Sequence, residues 1–142
     1  MTAVIAKTSI SDAAARRAVE AAREKAAELG IAVTISVLDE GGLPKAFLRM
    51  DGAPLAGIEI APVKARTAVL FRAPTSMWRE RVETNQLLPV ALVGLHDRVS
   101  LLKGGVPLVV DGAVVGAVGV SGGSEDQDDL VAGAAAERAL AS

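Results

Sequence analysis

Four charged residues in the middle of the chain are the clearest candidates for chemistry. Arg49 and Asp51 stand where a predicted strand enters a loop, and Lys64 and Arg66 stand on the predicted helix that follows. Arginine and lysine bind carboxylates, and an aspartate or a lysine can act as a general acid or base. Because Lys64 and Arg66 are two positions apart, they cannot share one helix face. We expect one of them to point at the sheet or a pocket and the other at solvent.

Lys64 belongs to a stripe of small residues that would bring this helix close to its neighbour. A lysine in such a place needs a carboxylate partner, and Asp51 and Glu59 are the candidates. Two interpretations stay open: a structural ion pair, or an anion-binding site for the carboxylates of a ligand.

Two glycines, Gly116 and Gly119, lie within a predicted central strand. Glycine inside a strand indicates close approach by a neighbouring helix or by a flat ligand. We predict that Arg49 and Lys64 line one pocket near the end of this strand, with the glycines leaving room for the ligand. A phosphate cradle is disfavoured, because the glycine spacing fits neither nucleotide-binding motif and the next helix begins with four carboxylates.

The single histidine, His96, limits the metal chemistry. With one histidine, no cysteine and no tyrosine, the chain cannot build a histidine zinc site. His96 is either a loop residue beside Asp97, an axial ligand to haem iron, or a general base. Met50 and Met77 are the other soft candidates for iron.

Composition excludes several classes of protein. The 142 residues carry a net charge of −2, which argues against nucleic acid or an anionic membrane as partner. Aromatic residues make up only 2%, whereas hydrophobic residues reach 51%, so part of the apolar surface is expected to be hidden in a homo-oligomer. No apolar stretch is long enough for a membrane span, and the start does not resemble a signal peptide, which makes the cytoplasm the expected location.

The predicted elements follow the order α-ββ-αα-βββ-α in a single domain, residues 1–142. Helical periodicity covers 11–29, 55–71, 75–83 and 124–140, and strand patterns cover 31–38, 43–50, 98–102, 106–110 and 113–120. Hairpin turns join the first two and the last two strands. The sequence therefore predicts an α+β fold with three layers, a five-stranded, mainly antiparallel sheet having helices on both faces.

Motifs spread over nearly the whole chain resemble those of one known family, the GlcG/HbpS-like haem-binding (haem-degrading) proteins, which include the C-terminal domain of PduO-type corrinoid adenosyltransferases. They are Arg49-Met50-Asp51-Gly52-Ala53-Pro54, Ala61-x-x-Lys64-Ala65-x-Thr67-Ala68, Gly104-Gly105-Val106-Pro107-Leu108, and Gly116-x-x-Gly119-Val120-Ser121-Gly122-Gly123 with Gln127-Asp128.

The resemblance implies a profilin-like domain that assembles into compact homo-oligomers, often octamers. It further implies haem or tetrapyrrole binding in some members and roles in catabolic operons for others. Lys103 departs from the family pattern, which commonly has proline at this position.

Two functional hypotheses follow. In the first, the protein binds a small carboxylate-bearing ligand, haem or another tetrapyrrole, with His96 on the iron. The predicted ligand-binding residues are Arg49, Met50, Lys64, Arg66, Gly116 and Gly119. In the second, it is a metal-independent catabolic isomerase, lyase or hydrolase acting on a small carboxylate, with Asp51, Lys64 or His96 as acid or base.

Overall fold

The computed structural model describes residues 1–94 and 99–141. The helices are α1 (Asp12–Glu28), α2 (Gly57–Phe71), α3 (Trp78–Thr84), α4 (Leu88–Val93) and α5 (Glu125–Leu140), with a 3-10 turn at Thr75–Met77. The strands are β1 (Thr34–Asp39), β2 (Pro44–Arg49), β3 (Gly105–Val110) and β4 (Ala113–Ser121). Within these ranges no helix is long and apolar enough to cross a membrane.

The strands form one antiparallel sheet in the order β2-β1-β4-β3. The α+β class and the antiparallel sheet are confirmed, but the prediction of five strands is wrong, since the described part of the predicted strand 98–102 is not a strand. Its backbone donors are taken by side chains instead. Ser100 N–H donates to Thr67 Oγ1 at 2.8 Å, and Leu102 N–H donates to the Ser100 hydroxyl at 3.3 Å. A segment bonded in this way has no donors left for a ladder at these positions.

The two faces of the sheet pack against different helices. Alternate strand residues point to opposite faces, so each strand contributes to both layers. On one face the β-branched side chains of Val33, Ile35, Val37, Val118 and Val120 share a core with the alanine-rich sides of α1 and α5. On the other face Leu38 and Ala117 pack against Ala65, Ala68 and Val69 of α2. The result is a three-layer arrangement.

Local sequence signals explain the element ends. Ser124 caps α5 in a reciprocal capping box with Gln127, as the serine and the following acidic turn predict. Asp111 and Gly112 both have positive φ angles, 50° and 78°, at the tip of the β3–β4 hairpin. Two such residues in succession are what a two-residue hairpin turn requires. Helix α4 was not predicted from the sequence.

Candidate functional site

Lys64 lies in the interior as one half of an ion pair. Its Nζ donates to Asp128 Oδ2 at 3.0 Å and to the carbonyl oxygen of Val120 at 2.9 Å. The two side chains are only 2% and 4% exposed. The other carboxylate oxygen of Asp128 accepts the N–H of Gly123 at 2.8 Å. The pair therefore ties together α2, the end of β4 and the first turn of α5.

Glycines at the start of β3 make this position of Lys64 possible. Gly104 accepts the N–H of Val120 at 2.9 Å, beside the carbonyl that Lys64 bonds. A Cβ atom on Gly104 would lie 3.1 Å from Lys64 Nζ, and one on Gly105 would collide with the Lys64 carbonyl. Gly104 also has a φ of 116°, which other residues rarely adopt. The Gly-Gly pair is thus explained by packing around the lysine.

The partner of Lys64 is neither of the predicted acids. Asp51 and Glu59 are both exposed, whereas Asp128 stands 64 residues further along the chain. Burial raises the pKa of Asp128 from its ordinary value, although the Gly123 N–H and the Lys64 ammonium both act to lower it. The geometry matches the structural ion pair, one of the two interpretations open for Lys64.

The strand glycines are covered by protein and leave no room for a ligand. A Cβ on Gly119 would collide with the backbone of α2 at Ala61 and Ala65. A Cβ on Gly116 would collide with the carbonyl of Leu38. Close approach by a helix, rather than by a flat ligand, accounts for the glycine at position 119. The structure therefore does not bring Arg49 and Lys64 together beside an empty sheet surface.

Met50 belongs to the core on the α1 side. Its Sδ accepts the N–H of Val33 at 3.5 Å, and its own N–H donates to the Val33 carbonyl at 3.0 Å. The side chain packs against the core cluster beneath α1 and α5. The thioether predicted as a ligand contact is therefore occupied within the fold.

Arg49 and Arg66, by contrast, border a surface that the fold leaves uncovered. Arg49 lies directly opposite Thr34 in the β1–β2 ladder, so the two side chains point to the same face of the sheet. The Thr34 hydroxyl lies beneath α2 at Gly57. Arg49 is therefore on the α2 side of the sheet. Helix α2 packs on β1, β3 and β4, and it leaves this side of edge strand β2 open. We call this surface the open face; it consists of Phe47 and Arg49 on β2 and Ile58, Pro62 and Arg66 on α2.

The open face combines apolar side chains with unpaired cations. Phe47 is 49% exposed and Ile58 is 39% exposed. Neither arginine forms an ion pair with any acid of the described ranges. Arg66 approaches the β1–β2 turn, and its Nε is buried without a hydrogen-bond partner among those residues. The Nε itself is out of reach of a ligand, so a ligand carboxylate would bind the terminal nitrogens of this guanidinium.

The remaining predicted residues are placed as follows. Asp51 is exposed in the turn that follows β2, without an ion-pair partner in the described parts of the chain. His96 and Asp97 lie outside the described residues, so the role of His96 as an iron ligand or base stays a prediction. Among the described residues, no group of three or more histidine, cysteine, aspartate or glutamate side chains is arranged so that it could hold a metal ion.

Two residues shape this end of the molecule through contacts that the sequence did not reveal. Asp128 is one of the four carboxylates at the start of the last predicted helix, and nothing in that group distinguishes it as the partner of Lys64. Lys103 donates its N–H to Glu125 Oε1 at 3.0 Å and its Nζ to Asp126 at 2.8 Å. Proline, common here in the family that the chain resembles, would lack that N–H. The departure from the family pattern therefore adds a contact to α5.

The protein is a three-layer α+β domain, in which an antiparallel sheet lies between a layer of α1 and α5 and the helix α2. The open face, basic and apolar, lies at the edge of this sheet. Comparison with known families then assigns it more closely. The sequence profile of the family described as "Haem degrading protein HbpS-like" matches residues 10–137. The chain belongs to this HbpS-like family.

Relatives agree with this assignment. Protein GlcG of Escherichia coli K12 is 42% identical over 116 residues, covering 81% of this chain and 83% of GlcG. The crystal structure of Klebsiella pneumoniae protein ORFY superposes with a TM-score of 0.94 at 33% identity, covering 100% of this chain and 98% of the other. The crystal structure of a PduOC:heme complex has a TM-score of 0.87 at 32% identity, covering 92% and 95%.

Proposed function

We propose that this protein binds haem or another tetrapyrrole on the open face, with Arg49 and Arg66 as partners for the carboxylates of the ligand. The observation that carries the proposal is that Arg49 and Arg66 form no ion pair among the described residues and lie beside the exposed Phe47 and Ile58. A tetrapyrrole is a flat apolar ring bearing carboxylates, and it matches both properties. Membership of a family described as haem-degrading and the structural likeness to PduOC, solved as a haem complex, support the choice of ligand.

His96 is the proposed ligand to the iron, because it is the only histidine in a chain without cysteine or tyrosine. The alternative of a metal-independent enzyme is not favoured. Lys64, one of its acid–base candidates, is buried and already donates to Asp128 and Val120. Asp51 lies exposed in a turn, in contact with water.

Hemin titration tests this proposal. The Soret band is expected to sharpen and shift with saturation, and His96→Ala is expected to abolish that change. Arg49→Ala should weaken binding by about 1–3 kcal/mol through loss of a charge-assisted hydrogen bond. Because Arg49 is exposed and forms no ion pair with the described residues, its replacement should leave the melting temperature nearly unchanged.

The matched control is Arg16→Ala, which removes an exposed arginine from α1 on the opposite side of the sheet. It should leave hemin affinity intact. A broad spectrum that never saturates and is the same in every variant would show nonspecific adsorption and contradict the proposal.

We also propose that the protein is a homo-oligomer. Large apolar side chains stand exposed along α2 and β2, which a lone chain would leave in contact with water. Outside the open face they are Leu43, Leu55, Leu70 and Phe71. Size-exclusion chromatography with light scattering should give a mass several times 14.4 kDa. Leu55→Lys should shift the protein towards smaller species, whereas Ala13→Lys on the exposed side of α1 should not. A measured mass equal to that of the monomer at micromolar concentration would contradict the proposal.

The finer expectations belong to the same proposal. Five expectations stay predictions: an octameric assembly, a profilin-like domain, a cytoplasmic location, a role in a catabolic operon and a single-domain organisation over 1–142.

A further inference from the structure

The sheet ends in two edge strands, β2 and β3, and no strand of the described ranges pairs with the outer edge of either. An edge strand presents N–H and C=O groups to which a further strand can bond. In an antiparallel ladder, opposite residues alternate between pairs that exchange hydrogen bonds and pairs whose backbone groups point away from each other. This alternation determines which residues of β2 and β3 have outward backbone groups.

In β3 the outer edge is interrupted by a proline. The N–H of Val120 donates to the Gly104 carbonyl at 2.9 Å, so this pair is of the hydrogen-bonded kind. Pro107 lies three positions further along the chain, opposite Ala117, and its backbone therefore points outward. A proline there offers no N–H to a further strand, which is a common way of blunting a sheet edge.

In β2 the outer edge has no such interruption near its C-terminal end. The N–H of Met50 donates to the Val33 carbonyl at 3.0 Å, so this pair is of the hydrogen-bonded kind. The next pair along the ladder, Arg49 with Thr34, is then of the other kind. The backbone groups of Arg49 and of Phe47, two positions away, therefore point outward, and each residue keeps both its N–H and its C=O. This edge can accept a further strand.

Exposed charges of opposite sign stand at the two ends of this edge. Lys45 lies at a β-bulge before it, and Asp51 lies in the turn that follows it. Both side chains are exposed, and neither forms an ion pair with another residue of the described ranges. A second copy of β2 placed antiparallel to the first reverses the order of the charges. The edge is thus complementary to itself.

One register of such a pairing matches these charges. With Leu48 of the two copies opposite each other on a twofold axis, Phe47 faces the partner's Arg49, and a guanidinium beside an aromatic ring is favourable. The same placement brings Lys45 to the partner's Asp51. The two neighbouring registers instead set Lys45 against the partner's Arg49, or Arg49 against the partner's Arg49. Like charges directly opposite each other are unfavourable.

We propose that two copies of the chain join at the outer edges of their β2 strands, antiparallel and about this twofold axis, into one continuous sheet. The inference rests on the proposed homo-oligomer and assigns one of its interfaces. Leu48 packs against the core on the α1 side, and on that side it meets its own copy across the axis. The added strand occupies the edge of the sheet and not its face, so the open face stays accessible.

Single cysteines locate the axis, because the parent chain has no cysteine. Leu48→Cys places two thiols opposite each other at the Cα separation of about 4.5 Å that suits a disulfide. Mild oxidation is expected to give a covalent dimer on a non-reducing gel. Phe47→Cys places its two thiols on a diagonal of about 7–8 Å and should cross-link far less. Ala13→Cys, exposed on α1, is the control and should not cross-link.

A charge exchange tests the same pairing without a change in the core. Asp51→Lys turns attraction into repulsion at both ends of the interface and should weaken association about tenfold or more. Light scattering should then show a smaller species. Lys45→Asp combined with Asp51→Lys restores opposite charges and should recover the mass of the parent protein. Glu137→Lys, the same change of charge at an exposed position of α5, should leave the mass unchanged.

Preferential cross-linking of Phe47→Cys over Leu48→Cys would overturn the proposed axis. An Asp51→Lys protein that keeps the mass of the parent oligomer would overturn the interface. If Leu48→Cys does not fold, the charge exchange still decides, because Lys45 and Asp51 are both exposed. A parent protein that is a monomer would contradict the homo-oligomer itself. An oligomer in which folded Leu48→Cys does not cross-link would contradict only this interface and leave the edge to a strand of another protein.

Discussion

Replacement of Lys64 by methionine is expected to lower the free energy of unfolding by about 3–5 kcal/mol. Methionine preserves the apolar stem, so the main change is the loss of the ammonium. Asp128 is then left as a buried carboxylate with the Gly123 N–H as its remaining described donor. Urea denaturation followed by circular dichroism measures the loss directly.

The loss should also depend on pH, in a direction that the burial of Asp128 sets. Burial already raises the pKa of this carboxyl, and removal of the nearby cation raises it further. In the variant, the folded protein therefore binds a proton at pH values where the unfolded chain does not. The free energy of unfolding then falls as pH rises from the ordinary aspartate pKa through the raised one. The destabilisation should be smaller in mildly acidic buffer than at neutral pH.

Two further variants separate the buried charge from simple packing. Lys64→Met combined with Asp128→Leu removes both charges and should recover a large part of the stability, since an apolar pair often replaces a buried ion pair without loss. Lys103→Met removes an exposed ion pair with Asp126 and should change stability little. If Lys64→Met alone were as stable as the parent protein, the structural role of the pair would be refuted.

Substitution of Gly119 by alanine is expected to destabilise the protein by about 3 kcal/mol or more, at the upper end for an overpacked core. The added methyl group would collide with the backbone of α2 at Ala61 and Ala65. Backbone atoms cannot move aside as a flexible side chain does, so the helix must lift away from the sheet. Thermal unfolding should show a large fall in melting temperature.

Gly133→Ala is the matched control for this substitution. Gly133 lies within α5, and nothing stands within 4 Å of the position that a Cβ would take. Alanine is the better helix former, so this change should stabilise the protein by about 1 kcal/mol. A tolerated Gly119→Ala would mean that α2 does not rest on the strand at this point.

Local signals predicted most of the fold. The period of two in β1, the Asp111-Gly112 turn and the Ser124 cap each depend on neighbours along the chain, and each is present in the structure. The predicted strand 98–102 failed because its apolar run carried no information about Thr67, whose hydroxyl takes the Ser100 N–H. This hydrogen bond replaces one that a strand ladder would need, and it joins residues 33 positions apart. The spacing of apolar residues along the chain does not reveal such long-range bonds.

The candidate site was less predictable for the same reason. Arg49 and Arg66 could be selected by their residue type and by their places at a strand end and on the following helix, and neither forms an ion pair among the described residues. The partner of Lys64 could not be selected, because Asp128 is brought to it only when α5 packs on the sheet.

The buried ion pair also constrains the order in which the chain can fold. Lys64 belongs to a helix that is synthesised well before Asp128, and β1 must wait for β4, its neighbour in the centre of the sheet. Until the C-terminal part emerges, α2 has neither the strand it rests on nor the anion for its lysine. The groups around the Lys64 ammonium, namely the Val120 carbonyl, the Asp128 carboxylate and Gly104, all belong to the C-terminal part of the chain. The lysine therefore becomes buried only together with the anion that neutralises it, and the docking of α2 on β4 depends on the packing of α5.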